Sequence, residues 1–233
     1  MEQLLFVINI IGFISFSAAG AMIAIDKETD LFGVVFLALT TCFGGGILRD
    51  VMMGRDLPLF FTSLKMEIIV CVLTALAVFL IASIFKEKYV REEAAVEKIN
   101  NVLDALGLGV FASVGASIYI DRGPFVAITM GLISSVGGSM IRDTLLCDIP
   151  FVLRKRVYAV ACILGSATYY VVSQIFMKGS ASADVVATLC CMAVIFTIRM
   201  CATIFRWNMP KAIIFDKIKL PENDETHKEK INK

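Results

Sequence analysis

Gly44-Gly45-Gly46-Ile47-Leu48-Arg49-Asp50 interrupts an apolar run with three glycines and a charge pair, and Gly137-Gly138-Ser139-Met140-Ile141-Arg142-Asp143 repeats the arrangement in the second half of the chain. In both copies the Arg-Asp pair begins three residues beyond the small-residue cluster. Glycine inside a helix costs roughly 1 kcal/mol relative to alanine, and an arginine at the centre of a bilayer roughly 2.5–3.5 kcal/mol on insertion scales. A chain that carries both costs twice is read as using them.

The repeat reaches well beyond the glycines. Phe16-Ser17-Ala18-Ala19-Gly20-Ala21-Met22-Ile23-Ala24-Ile25-Asp26 aligns without gaps to Phe111-Ala112-Ser113-Val114-Gly115-Ala116-Ser117-Ile118-Tyr119-Ile120-Asp121, with identities at Phe, Gly, Ala, two Ile and Asp. Each copy holds three apolar runs long enough to span, and three is odd. The second unit therefore enters the membrane from the opposite side, which makes the two units inverted repeats, an architecture shared by many transporters and some channels.

The membrane assignment rests on composition and run length. Hydrophobic residues make up 58% of the 233, net charge is +1, and mean hydropathy is +0.81, outside the range of soluble globular chains. About 20 apolar residues cross a hydrocarbon core, and seven segments qualify: Leu4–Ile25, Leu31–Arg49, Leu64–Phe85, Val102–Ile120, Pro124–Thr144, Val157–Met177 and Val185–Phe205. The predicted fold is an all-α membrane protein of seven transmembrane helices, inverted 3+3 repeats plus one, with the second and fifth helices kinked at the glycine clusters. The predicted units are a first repeat over 1–85, a cytoplasmic linker over 86–100, a second repeat over 101–177, a seventh helix over 178–205, and a partly disordered cytoplasmic tail over 206–233. The first run lacks the positive leader of a signal peptide and is read as a retained span.

Basic residues orient the bundle. Arg55, Lys65, Arg122 and Lys178 fall on one side; Lys27, Lys86, Lys88, Arg91, Lys98, Arg154, Lys155, Arg156, Arg206, Lys211, Lys217 and Lys219 fall on the other. The expected setting is the cell inner (plasma) membrane, with the N-terminus outside and the C-terminus cytoplasmic. The seven cysteines lie in or beside apolar segments with no CxxC spacing, and the single histidine, His227, is in the polar tail. They read as small hydrophobes rather than disulfides or metal ligands. No HExxH, paired buried aspartates or Gly-x-Ser-x-Gly element is present, so no catalytic residue, metal or cofactor is expected, and the near-zero net charge gives no reason to expect a nucleic-acid partner.

The candidate pore or kink residues are Gly44, Gly45, Gly46, Gly137, Gly138 and Ser139. They fit close helix packing, or a bent or unwound segment whose free backbone groups line a polar path. Counting from Leu31, Arg49 lies about 27 Å along the helix, near an interface. Arg49, Asp50, Arg142 and Asp143 are thus candidate mouth or gating residues, with snorkelling to headgroups as the alternative. Asn9 and Asp104 are equivalent under the repeat and are candidate polar lining, with an interfacial role open for Asp104. Arg199 is expected to snorkel from the last span, and Glu67, beside Lys65, to sit at the interface.

GGGILRD, VGGSMIRD and the entry to the fourth span, Leu103-Asp104-Ala105-Leu106-Gly107-Leu108-Gly109, resemble the bacterial branch of the trimeric intracellular cation (TRIC) channels, which overlaps with two-repeat proteins classed as glycine transporters. The resemblance covers about residues 4–205. It implies a homotrimer in the lipid bilayer, with one path for potassium or sodium ions inside each protomer, kinked at the glycines. The chain departs from the pattern at Ser139 and by one inserted residue between Asp50 and Pro58. The leading expectation is a passive potassium channel; the alternative is a carrier for a small zwitterion such as glycine, held at a helix-half N-terminus.

Overall fold

The structure, a computed structural model, describes residues 2–62, 65–154, 157–176, 182–205 and 207. The predicted tail therefore lies almost wholly outside the described residues. Ten α-helices follow in order: α1 (Glu2–Asp26), α2 (Leu31–Met52), α3 (Leu59–Thr62), α4 (Lys65–Ile84), α5 (Lys86–Arg91), α6 (Glu93–Ile118), α7 (Pro124–Leu145), α8 (Phe151–Arg154), α9 (Tyr158–Val171) and α10 (Ala183–Ile204). Among the described residues, seven helical segments are long and apolar enough to cross a membrane, the sixth continuing from α9 to Ile175. The seven predicted spans match these segments one for one. Among the described residues there is no strand.

Local chemistry starts and ends the spans as the sequence suggests. Asp30 caps α2 by accepting from the Gly33 N–H at 2.7 Å, and Pro124 opens α7, where its missing N–H is no loss. Pro58 and Pro150 immediately precede the short helices α3 and α8. The linker is helical: α5 takes its first six residues and α6 begins at Glu93, so the fourth span extends back well before Val102. Tyr89 Oη, 3.4 Å from Asp26 Oδ1, ties the linker to the end of α1.

The two repeats meet at equivalent residues. Phe16 of α1 stacks on its counterpart Phe111 of α6 with centroids 4.9 Å apart, and Phe13 meets the edge of the same ring. Beside them α2 crosses α7 in opposite directions, since Gly45 faces Ser134 while Gly138 faces Thr41. The helix α4 packs on α1 and α2, and α9 packs on α7 and α6. The extra helix α10 packs on α6 and α9, so only the second repeat carries it.

Both glycine-bearing helices end in the same turn. The Met53 and Leu146 N–H groups return to the Arg49 and Arg142 carbonyls at 3.1 Å, and the next residues, Gly54 and Cys147, have φ of +67° and +56°. Glycine adopts that backbone freely, whereas a side chain in the left-handed region costs about 1–2 kcal/mol. Cys147 is exposed and unpaired, so removing its side chain forfeits little packing. Cys147→Gly is expected to stabilise the protein by about 1 kcal/mol, read as a rise of roughly 2–4 °C in thermal midpoint.

Candidate functional site

The glycine clusters divide into two kinds of position. A Cβ on Gly45 would overlap the Ser134 carbonyl oxygen, and one on Gly138 would overlap the Thr41 carbonyl oxygen. A Cβ on Gly137 would come 2.9 Å from Gly45 Cα, and one on Gly44 3.1 Å from Gly138 Cα. These four residues are the contact at which α2 and α7 cross, and only glycine lets the backbones approach so closely. Gly46 is different, because its nearest neighbour would be Arg49 Nη2 at 3.8 Å, and it lines a cavity. Its counterpart Ser139 donates to the Val136 carbonyl at 2.8 Å.

The unwound backbone considered at these clusters is not found, since Leu31–Met52 and Pro124–Leu145 are each helical throughout. The reason is mutual support: each cluster packs on the other, so its carbonyls stay within the helical ladder. Freed carbonyls are therefore not available at either cluster.

The Arg-Asp pairs are internal. Arg49 and Arg142 are 3% and 1% exposed, which removes the snorkelling alternative, since a headgroup contact requires a side chain that reaches the surface. Arg49 Nη2 lies 2.7 Å from Asp50 Oδ1, and Arg142 Nη2 2.7 Å from Asp143 Oδ1. The second oxygen of each aspartate accepts the first N–H of the following short helix: Leu59 N to Asp50 Oδ2 and Phe151 N to Asp143 Oδ2, both 2.8 Å. Each pair thus fastens the end of a central helix to the re-entry of the chain. Arg49 also donates to Ser134 of the opposite repeat at 3.2 Å, whereas Arg142 Nη1 has no partner among the described residues.

Around the first pair lies a cavity of about 90 Å³, walled by Asn9, Gly46, Arg49, Asp50, Glu67 and Ser134 together with Phe13, Phe43, Phe60 and Phe111. Near the second pair, polar side chains bond one another. Tyr158 Oη donates to Asp104 Oδ1 at 2.9 Å and lies 3.4 Å from Ser139 Oγ. Arg199 Nη2 reaches Asp104 Oδ2 at 3.2 Å, with its guanidinium 4.4 Å from the Tyr158 ring centroid. Asp104 is therefore internal, bonded and 7% exposed, not interfacial. Arg199 is 2% exposed, so it does not snorkel; the seventh helix turns it inward to the carboxylate.

Asn9, Gly46, Arg49 and Asp50 are thus brought together in one repeat, and Asp104, Ser139, Arg142 and Asp143 in the other. Gly44, Gly45, Gly137 and Gly138 lie between the two groups. Sequence reasoning did not single out Ser134 or Tyr158, set Glu67 at the interface, and expected Arg199 to snorkel rather than turn inward. Ser134 could have been found from its place three residues before Gly137, matching Thr41 before Gly44. Tyr158 and Glu67 carried no such signal.

The profile of the family described as Glycine transporter matches residues 6–83 and 101–174, one block on each repeat. This chain belongs to that family. Relatives include the UPF0126 inner membrane protein YadS of Escherichia coli strain K12, 32% identical over 193 residues, covering 80% of this chain and 89% of YadS. A UPF0126 membrane protein of Vibrio cholerae is 39% identical over 170 residues, or 70% of this chain and 66% of that protein. Among solved structures, a TRIC cation channel studied for its conductance matches with a TM-score of 0.75 and 30% identity, covering 89% of this chain and 97% of that one. The TRIC orthologue from Rhodobacter sphaeroides matches at 0.73 and 28%, over 88% and 100%. The TRIC resemblance carried by the two motifs holds at the level of the whole fold, and this family member is a multi-pass membrane protein.

Proposed function

We propose that the protein is a passive channel for monovalent cations, potassium foremost, with one path through each protomer of a homotrimer. The observation that carries this reading is the pair of polar, charge-bearing clusters, one on each side of the glycine crossing and formed by equivalent residues of inverted repeats. A path joining them is lined by Asn9, Gly46 and Ser134 on one side and by Asp104 and Ser139 on the other, with Arg49, Asp50, Arg142 and Asp143 at its two ends. Partly hydrated ions exchange water for such oxygens at little net cost. The similarity to solved TRIC cation channels supports the same reading.

The cytoplasmic C-terminus and external N-terminus follow from the charge bias. Lys27 and Asp148, paired at 2.6 Å, bring the α1–α2 and α7–α8 turns together, as the inverted topology requires in either orientation. The zwitterion carrier is the weaker reading, because the helix-half N-terminus it needs is absent from the unbroken α2 and α7. Its support is the unpaired Arg142 Nη1 and Arg199 Nε, donors that a carboxylate could use. Purified protein in a planar bilayer with a potassium gradient is expected to show unitary currents that reverse toward the potassium potential. Silent bilayers with inserted protein, or saturable glycine uptake at carrier turnover, would overturn the channel reading.

A further inference from the structure

The first-repeat cavity holds three charged side chains, and two of them cancel. Arg49 and Asp50 are in direct contact, with Arg49 Nε donating to Asp50 Oδ1 at 2.8 Å in addition to the Nη2 contact. That leaves Glu67, in the first turn of α4, as the third charge on the wall. Among the described residues no ion pair joins Glu67 to a basic group, and Arg49 is the single basic residue lining the cavity. Lys65, two positions earlier, is exposed and does not line it; residues two apart on a helix do not share a face. Phe13, Phe43, Phe60 and Phe111 supply apolar walls, and a low-dielectric wall concentrates the field of a lone charge into the space it faces.

We infer that Glu67 is the residue that sets cation preference at this end of the path, by holding an uncompensated negative charge in the vestibule before ions reach the glycine crossing. Among the described residues the second repeat shows no counterpart, since the carboxylate there, Asp104, is answered by Arg199 and bonded by Tyr158. Selectivity is therefore asymmetric between the two ends. A purely structural role for Glu67 exists, since a carboxylate in the first turn favours the helix dipole, but that role leaves ion preference untouched.

The inference rests on the channel reading, and the experiment separates the two. Wild type, Glu67→Gln, Glu67→Asp and the double variant Glu67→Gln with Asn9→Asp are reconstituted in planar bilayers under a potassium chloride gradient. Glu67→Gln is expected to lower the cation-to-anion permeability ratio and the conductance at low salt by about three- to tenfold, with the conductance difference shrinking near 1 M salt as screening shortens to about 3 Å. Glu67→Asp keeps both, and Asn9→Asp, on the same wall, restores them. If Glu67→Gln does not assemble, Asn9→Asp alone must raise the low-salt conductance and cation preference of the wild type. A conducting wild type whose reversal potential is the same in Glu67→Gln, or is unmoved by Asn9→Asp, overturns the inference alone. A wild type that passes no current overturns the channel reading beneath it.

Discussion

Arg199→Met is expected to lower the thermal midpoint of the detergent-solubilised protein by roughly 10 °C, and adding Asp104→Leu to recover most of that loss. Asp104 is 7% exposed and has two partners, the Arg199 guanidinium and the Tyr158 hydroxyl. Removing the cation leaves a buried carboxylate with a single neutral donor, and breaking one side of such a pair costs about 3–5 kcal/mol. At this chain length each kcal/mol moves the midpoint by about 2–4 °C. Replacing both partners by apolar groups of similar size removes the charge and its desolvation together, which is often neutral. The recovery distinguishes pairing from simple packing: if the double variant is as unstable as the single, Arg199 matters for its bulk against Tyr158. Size-exclusion elution against temperature reads both variants.

Gly138→Val is expected to abolish assembly of the folded protein, whereas Gly46→Ala is tolerated. The Cβ of residue 138 would overlap the Thr41 carbonyl oxygen, and backbone cannot rotate away as a side chain can. Relieving the overlap means moving α7 off α2, which breaks the mirror contact of Gly45 on Ser134 and pulls at the Arg49–Ser134 bond at 3.2 Å. Overpacking a close-fitted core costs about 1–3 kcal/mol when side chains can yield and more when they cannot. At Gly46 the nearest atom to an added methyl is 3.8 Å away, and alanine gains about 1 kcal/mol of helix propensity. The methyl instead takes space from the vestibule, so Gly46→Ala is expected to reduce single-channel conductance without loss of monodisperse protein. Equal yields of the two variants would remove the crossing as the centre of the fold.

The seven spans, the inverted repeat and the paired motifs were legible because they are written along the helix axis. Run length against bilayer thickness finds a span, and matching Phe16 to Phe111 or Asn9 to Asp104 finds the repeat, with no knowledge of packing. The Arg-Asp pairs stand out in the sequence, but counting residues from Leu31 gives depth along a helix and not the side that faces inward. That is why Arg49, Arg142 and Arg199 were open to snorkelling until their burial was known. The glycines were read correctly as unusual, while the expectation of unwinding overlooked that each cluster supplies the contact the other needs.

By itself, then, the sequence determined a seven-span membrane bundle built from two related halves, since hydropathy and repetition are properties of order along the chain. Tertiary structure alone decided that Gly46 faces space while Gly45 faces backbone, that Tyr158 and Arg199 close on Asp104, and that Glu67 shares a cavity wall with the Arg49–Asp50 pair. The glycine, arginine and aspartate stretch from Gly44 to Asp50 shows the division. Its composition announces a special site, but whether each residue packs, pairs or lines depends on which helix lies against each side of it.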